Sequence, residues 1–213
     1  MNYSDKRMVV GLVAGWLLIV VSGFWWFQFT DLRSFASESS VVFFEGDQFQ
    51  AQLGRLMDSI GGLQQKTTLV HFWDSECSCN RFNEPHVNEL IEIYAQQNIQ
   101  FIVVARIFNL ESKKEVLERA RQIFNHPAVV SVIADDEVNL DSMPSMPAVA
   151  VLSKQQKLMY FGPYSVGAVC NVKNGSFVEK SLDGIIKGKP KKQLNVLAAG
   201  CFCNHKNTLA KIN

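Results

Sequence analysis

Hydrophobic patterning divides the chain sharply. From Met8 to Phe27 no residue carries a charge, and the run ends in the aromatic group Phe24-Trp25-Trp26-Phe27. About 20 apolar residues rising 1.5 Å each span a hydrocarbon core of about 30 Å, so the run predicts a transmembrane helix. Lys6 and Arg7 precede it, and the positive-inside rule then leaves the N-terminus in the cytoplasm and everything after Thr30 outside it. A cleaved signal peptide is the competing reading. Its apolar region is usually shorter, and the aromatic group suits a membrane–water interface, so an uncleaved anchor through residues 8–29 is expected.

Beyond the anchor the pattern changes period several times. Residues 31–46 contain Ser34, Ser37, Ser39 and Ser40 and then the short apolar run Val41–Phe44, and predict a juxtamembrane linker. Phe49, Leu53, Leu56, Met57 and Ile60 recur at helical spacing until Gly61-Gly62 stops them. Thr67–Trp73 is a β-branched and aromatic run of strand length. Asn80–Gln97 predicts a helix with Val87, Leu90, Ile91 and Tyr94 on one face. Strand Gln100–Arg106, helix Ser112–Phe124 and strand Val129–Ala134 follow. Met146-Pro147 leads into a hairpin of Ala148–Leu152 and Lys157–Phe161, and Phe177–Ile186 predicts a last helix; Gly167–Asn174 shows no clear pattern.

Strands alternating with amphipathic helices argue for a layered α/β domain. The expected organisation is a cytoplasmic N-terminus and anchor over 1–30, a linker over 31–46, a domain over 47–190 and a tail over 191–213.

Composition narrows the function classes. The 213 residues are 47% hydrophobic and 19% charged, enough to bury a core, with a formal net charge of +1. No basic excess exists to grip a phosphate backbone, so nucleic acid is not an expected partner. No glycine-rich phosphate loop and no nucleophile-elbow serine is present. His71 reads as a packed strand residue and His126 as a turn residue before Pro127. Asp135-Asp136-Glu137 reads as a solvated loop, and Lys187–Lys192 as an exposed basic turn.

The five cysteines stand as Cys77-Ser-Cys79, a single Cys170, and Cys201-Phe-Cys203. Cys77 falls between an apolar strand and an amphipathic helix. A helix N-terminus presents free N–H groups and the positive end of the macrodipole, and both stabilise a thiolate. The thiolate is the form that attacks disulfides or binds soft metals. An exported domain also meets an oxidising compartment in which disulfides persist.

These residues resemble a known family. Phe72-Trp73-Asp74-Ser75-Glu76-Cys77 is similar to the Phe-Trp-x-x-x-Cys segment of the thioredoxin superfamily, especially its membrane-anchored TlpA/ResA-like branch. Pro85 falls on the proline of that branch's active-site helix. Met146-Pro147 before Ala148–Leu152 resembles the cis-proline loop and its following strand, and Tyr160-Phe161-Gly162 the end of the next. The likeness covers roughly 66–163. It departs at one place: Asn80 occupies the second-cysteine position, Cys79 stands on the usual proline, and Glu76 replaces the aromatic residue before the first cysteine.

The resemblance implies a thioredoxin-like fold, a mixed sheet flanked by helices, and thiol–disulfide exchange with protein thiols or disulfides at a periplasmic or other extracytoplasmic face of the inner membrane. Cys77 would be the nucleophile, Cys79 the resolving thiol, and Pro147 the platform that holds a substrate strand. Cys170, Cys201 and Cys203 are alternative resolving or relay cysteines if the tail folds back, and a disulfide relay between the two Cys-x-Cys pairs is the expected mechanism. A static Cys201–Cys203 pair is its alternative. No cofactor is expected for that chemistry, and the redox partner and substrate stay open. Two other readings use the same fold. One is a copper or zinc protein similar to the Sco type, with Cys77, Cys79, Cys201, Cys203 and His205 as ligands. The other is a non-catalytic interaction module.

Overall fold

A computed structural model describes residues 3–30, 33–35, 46–61, 66–107, 112–138, 143–164 and 176–204. The chain forms two compact units, Met1–Leu32 and Arg33–Asn213. The first is a single helix, α1 (Tyr3–Thr30). Within it Arg7–Trp26 has mean hydropathy 2.2 and none of that stretch is buried. It is long and apolar enough to cross a membrane.

The second unit runs β1 (Arg33–Ser34), α2 (Gly46–Ser59), β2 (Thr67–Trp73), α3 (Ser78–Ala95), β3 (Ile99–Ala105), α4 (Lys113–Ile123) and β4 (Val129–Ala134). It continues with β5 (Ser145–Met146), β6 (Ala148–Leu152), β7 (Leu158–Gly162), α5 (Phe177–Ile186), β8 (Gln193–Leu194), β9 (Ala199–Gly200) and β10 (Cys203–Asn204). Six strands form one sheet in the order β4-β3-β2-β6-β7-β8. β2, β3 and β4 are mutually parallel, and β6 runs antiparallel to both β2 and β7. The Met146–Pro147 peptide bond is cis. This is a thioredoxin-like fold.

Every position of β2, β3 and β6 is buried, because helices cover both faces of the sheet. Alternate strand residues therefore feed two cores. Val70, Phe72, Ile102, Val104, Ala148 and Ala150 meet Phe49, Leu53, Leu56 and Met57 of α2 on one side. Leu69, Trp73, Phe101, Val103, Val149 and Val151 meet α3, α4 and α5 on the other, through Leu90, Ala120 and Leu182 among others. α5 begins with a complete capping box, in which Ser176 Oγ accepts from Glu179 N–H and Glu179 accepts from Ser176 N–H.

The largest difference from the sequence expectation lies at the two ends of this unit. The sequence reading ends the domain at residue 190 and leaves 191–213 as a tail. In the structure β8 extends the main sheet beside β7, β9 pairs with β1, and β10 pairs with β5. Leu194, Val196, Ala198 and Phe202 all pack on the α2 side of the core. The expected linker is likewise part of the fold at its start: Phe35 is fully buried and its N–H donates to Ala198 O at 2.8 Å. Short ladders of two residues carry no periodicity that sequence reading can detect, and this is why both segments read as connections. Val41–Phe44 and Gly167–Asn174 lie outside the described residues.

Candidate functional site

β2 ends at Trp73, and Asp74-Ser75-Glu76 turns the chain into α3. Asp74 organises that turn. Its Oδ1 accepts the Glu76 N–H at 2.9 Å, its carbonyl accepts the Cys77 N–H at 3.2 Å, and its Oδ2 lies 3.4 Å from Arg106 Nη1. Asn80 Nδ2 also donates to the Asp74 carbonyl. Burial pushes the Asp74 carboxyl above its ordinary range, while the Glu76 N–H and the Arg106 guanidinium pull it back. Arg106 follows β3 directly, and its N–H donates to Trp73 O at 2.8 Å, so the clamp ties the turn to the neighbouring strand. Trp73 Nε1 donates to Glu84 Oε1 of α3 at 3.0 Å.

Cys77 is thereby fixed as the N-cap residue of α3, with extended backbone. Ser78 is exposed, while Cys77 and Cys79 are buried. Both sulfurs sit at the end of an 18-residue helix, where free N–H groups and the dipole favour negative charge. Cys77 Sγ lies 3.7 Å from Met146 O, the carbonyl just before the cis proline. As a disulfide sulfur it has no proton to donate there; as a thiol it would donate to that oxygen.

The C-terminal segment closes the site. β10 pairs antiparallel with β5, setting Cys203 opposite Met146 and Asn204 opposite Ser145. Two disulfides join the two Cys-x-Cys pairs, Cys77 to Cys203 and Cys79 to Cys201, with Cα separations of 5.9 and 5.7 Å. The rungs cross in antiparallel sense, the earlier cysteine of each pair bonding the later one of the other. Between them Phe202 turns the other way and is 5% exposed, its ring 5.2 Å from that of Phe35 in an edge-on contact. Cys201 lies at a bend and Cys203 opens β10, so the chain passes its two sulfurs to α3 on either side of a ring that faces the core.

Cys77, Cys79, Cys201, Cys203 and Pro147 are thus brought together. Cys79 is not bonded to Cys77, and Cys201 is not bonded to Cys203, so neither the direct resolving pair nor the static tail pair is the bonding of this state. Cys170 and His205 lie outside the described residues. The Sγ atoms of Cys77, Cys79 and Cys203 fall within 4.8 Å of one another. Bonded in pairs they offer no thiolate; only the reduced chain presents a soft-metal ligand set.

The other titratable groups divide plainly. His71 is buried in β2, its Nδ1 2.8 Å from Tyr164 Oη, and burial lowers its pKa to about 3 against a smaller opposing effect of the Ala148 backbone. It is a neutral packed residue. His126 Nδ1 accepts the Ala128 N–H at 3.0 Å and shapes a turn. In the acidic run, Asp136 and Glu137 pair with Lys113 at 3.0 and 2.8 Å, and Asp135 accepts the Ile107 N–H at 2.8 Å. Lys187–Lys192 is exposed.

Three participants escape sequence reading. Met146 contributes through its carbonyl, which no side-chain motif reveals. The Asp74–Arg106 clamp joins residues 32 apart. Phe35 and Phe202 meet across nearly the whole domain. Met146-Pro147 marked the loop without its carbonyl, and the echo of one Cys-x-Cys by the other, followed in both cases by asparagine, was the signal for the tail.

Two solved structures share this architecture, and the comparisons assign no chemistry. A family model described as "Domain of unknown function (DUF6436)" matches residues 46–205. No curated protein matches the chain in sequence. Among solved structures, a hypothetical protein from Sinorhizobium meliloti 1021 is similar with TM-score 0.53 and 14% identity, over 67% of this chain and 80% of that one. An uncharacterized conserved protein from Geobacillus kaustophilus is similar with TM-score 0.53 and 13% identity, over 66% and 76%. A secreted Mycobacterium tuberculosis disulfide oxidoreductase aligns with TM-score 0.38 and 16% identity, over 59% and 84%.

Proposed function

The chain belongs to the DUF6436 family, whose description assigns no chemistry, and from that premise we propose a thiol–disulfide exchange protein with Cys77 as nucleophile and the Cys201/Cys203 segment as its built-in redox partner. One observation carries the reading. Cys77 stands at the start of α3 and beside the Met146 carbonyl that precedes the cis proline, and it is bonded to a cysteine of a strand laid along β5.

The chemistry balances as two ordinary exchanges. In the reduced chain the Cys77 thiolate, stabilised by the helix N-terminus, attacks one sulfur of a substrate disulfide. A Cys77–substrate disulfide forms, and the electron pair leaves on the other substrate sulfur. Cys203 thiolate then attacks Cys77 Sγ, the Cys77–Cys203 bond forms, and the substrate departs as a dithiol. Two electrons have passed from the Cys77/Cys203 pair to the substrate. Run backwards, the same steps oxidise a substrate dithiol. Pro147 and Met146 position the strand that carries the incoming sulfur, and Cys79–Cys201 keeps the tail close while Cys77–Cys203 is open.

α1 supports membrane anchoring, with the cysteine domain on the extracytoplasmic side, where disulfides persist. The proximity of three sulfurs supports a second reading, in which the fully reduced chain holds copper or zinc by its thiolates.

Trapping decides between them. In the Cys203→Ser variant, the attacking thiolate has lost the sulfur that resolves it. A disulfide-containing peptide should accumulate as a mixed disulfide on Cys77, and Cys77→Ser should abolish capture. Absence of a Cys77 adduct, together with a zinc or copper adduct of the reduced protein in native mass spectrometry, would replace exchange by metal binding.

A further inference from the structure

The double rung constrains what else can occupy the site, and this inference rests on the exchange reading above. We propose that the site recognises a polypeptide segment of the form Cys-x-Cys, with a large apolar residue between the cysteines, which takes the place of residues 199–204. The protein's own tail is the internally held example of that ligand.

Three observations lead there. First, two acceptor sulfurs are available, Cys77 and Cys79, and each is bonded, to Cys203 and Cys201 respectively. Cys201 and Cys203, two apart with a bend at Cys201, reach both sulfurs at once while Phe202 between them faces the core. A Cys-x-x-Cys segment in the same conformation would send its second sulfur away. Second, the residue between the cysteines enters the core. Phe202 is 5% exposed against Phe35, which is fully buried and also lies 5.8 Å from the Phe161 ring. A charged side chain placed there would lose its hydration without a partner. Third, the backbone of the ligand is read by β5, whose described strand pairing is with β10 alone. A partner segment can take that ladder only where β10 leaves it.

The replacement requires no outside oxidant. A ligand thiolate attacks Cys77 Sγ, the ligand–Cys77 disulfide forms, and the electron pair of the broken bond leaves on Cys203. The second ligand thiolate then attacks Cys79 Sγ and Cys201 leaves. Two disulfides exist before and after. The two ligand thiols are consumed, two tail thiols appear, and the protons pass from ligand to tail. A segment engaging both rungs is held twice, so loss of either bond is reversed within the complex before the ligand escapes.

The test uses the full chain in its doubly bridged state and three synthetic dithiol peptides in excess. They are Ala-Gly-Cys-Phe-Cys-Asn, the same peptide with a second Phe inserted between the cysteines, and the same peptide with Asp in place of Phe. After acid quenching and alkylation, peptide mapping counts chains carrying peptide on both Cys77 and Cys79, with Cys201 and Cys203 alkylated. The first peptide should give about tenfold or more of this species relative to either other peptide. Equal yields with adducts on Cys77 would overturn the recognition rule and leave exchange standing. No adduct on Cys77 with any peptide would overturn both.

Discussion

The two Cys-x-Cys pairs meet sulfur to sulfur, yet the structure holds them in opposite ways. Cys77 and Cys79 start an 18-residue helix behind a fully buried strand, and their turn is clamped by Asp74, Arg106 and Asn80. Cys201 and Cys203 lie in a segment held by two-residue ladders to β1 and β5, with Phe202 as its main buried anchor. One half is built into the fold and the other is laid onto it. The proposed exchange needs that inequality. A nucleophile must keep its place beside the helix N-terminus, while the partner that resolves it must be able to leave and return.

The comparison is broken most severely by removing the rungs. Each disulfide links residues more than 120 apart, at separations of 126 and 122, so the first to form removes about 4–5 kcal/mol of unfolded-chain entropy. The second closes only a small ring and adds little, since the long loop is already closed. Cys201→Ser/Cys203→Ser should therefore cost about 4–5 kcal/mol in urea unfolding, and either single variant far less. Single-variant losses that add up to the double-variant loss would show that the rungs are not redundant.

A gentler break acts on the tail without touching a cysteine. Gly162 ends β7 with φ +153°, and a Cβ there would stand 2.9 Å from Asn195 Cβ and 3.0 Å from Asn195 O. Asn195 N–H donates to Phe161 O at 2.7 Å, so this is where the tail first leaves the sheet. Gly162→Ala should destabilise by about 1–3 kcal/mol. Amide exchange should rise along 193–204 and stay unchanged in α3. Uniform loss of protection across the domain would contradict the division into a built-in and a laid-on half.

Acid should act on the built-in half instead. His71 in β2 has its pKa lowered to about 3, chiefly by burial, against 6.5 in the unfolded chain. Between those values the unfolded chain binds the extra proton, so stability is lost as pH falls below 6.5, by about 1.4 kcal/mol per unit for this one group. Asp74 and Asp135, raised mainly by burial, work in the opposite direction just above the ordinary carboxylate range. The difference between wild type and His71→Leu removes their effect. That difference should shrink as pH falls from 7 towards 4, and a constant difference would mean that His71 is not held neutral.

Much of the molecule is legible in its sequence because it is locally encoded. Continuous apolar runs such as Thr67–Trp73 announce a strand buried on both faces, and helical stripes such as Val87, Leu90, Ile91 and Tyr94 specify which face is buried before any partner is known. The capped helix Phe177–Ile186 and the hairpin after Pro147 are legible for the same reason, as is the placement of Cys77 where a strand gives way to a helix. The apolar length of Arg7–Trp26 needs no tertiary context at all.

What tertiary structure alone decided is the pairing of sulfurs and the status of the tail. Cys77 and Cys203 are 126 residues apart, and nothing local favours that bond over Cys77–Cys79. The choice is made where Met146, just before the cis proline, offers its backbone to Cys203 while Phe202 finds Phe35. Each of those contacts is a single residue wide and leaves no periodicity behind. Local sequence sets the direction in which a side chain points; only the closed fold sets which other side chain it meets.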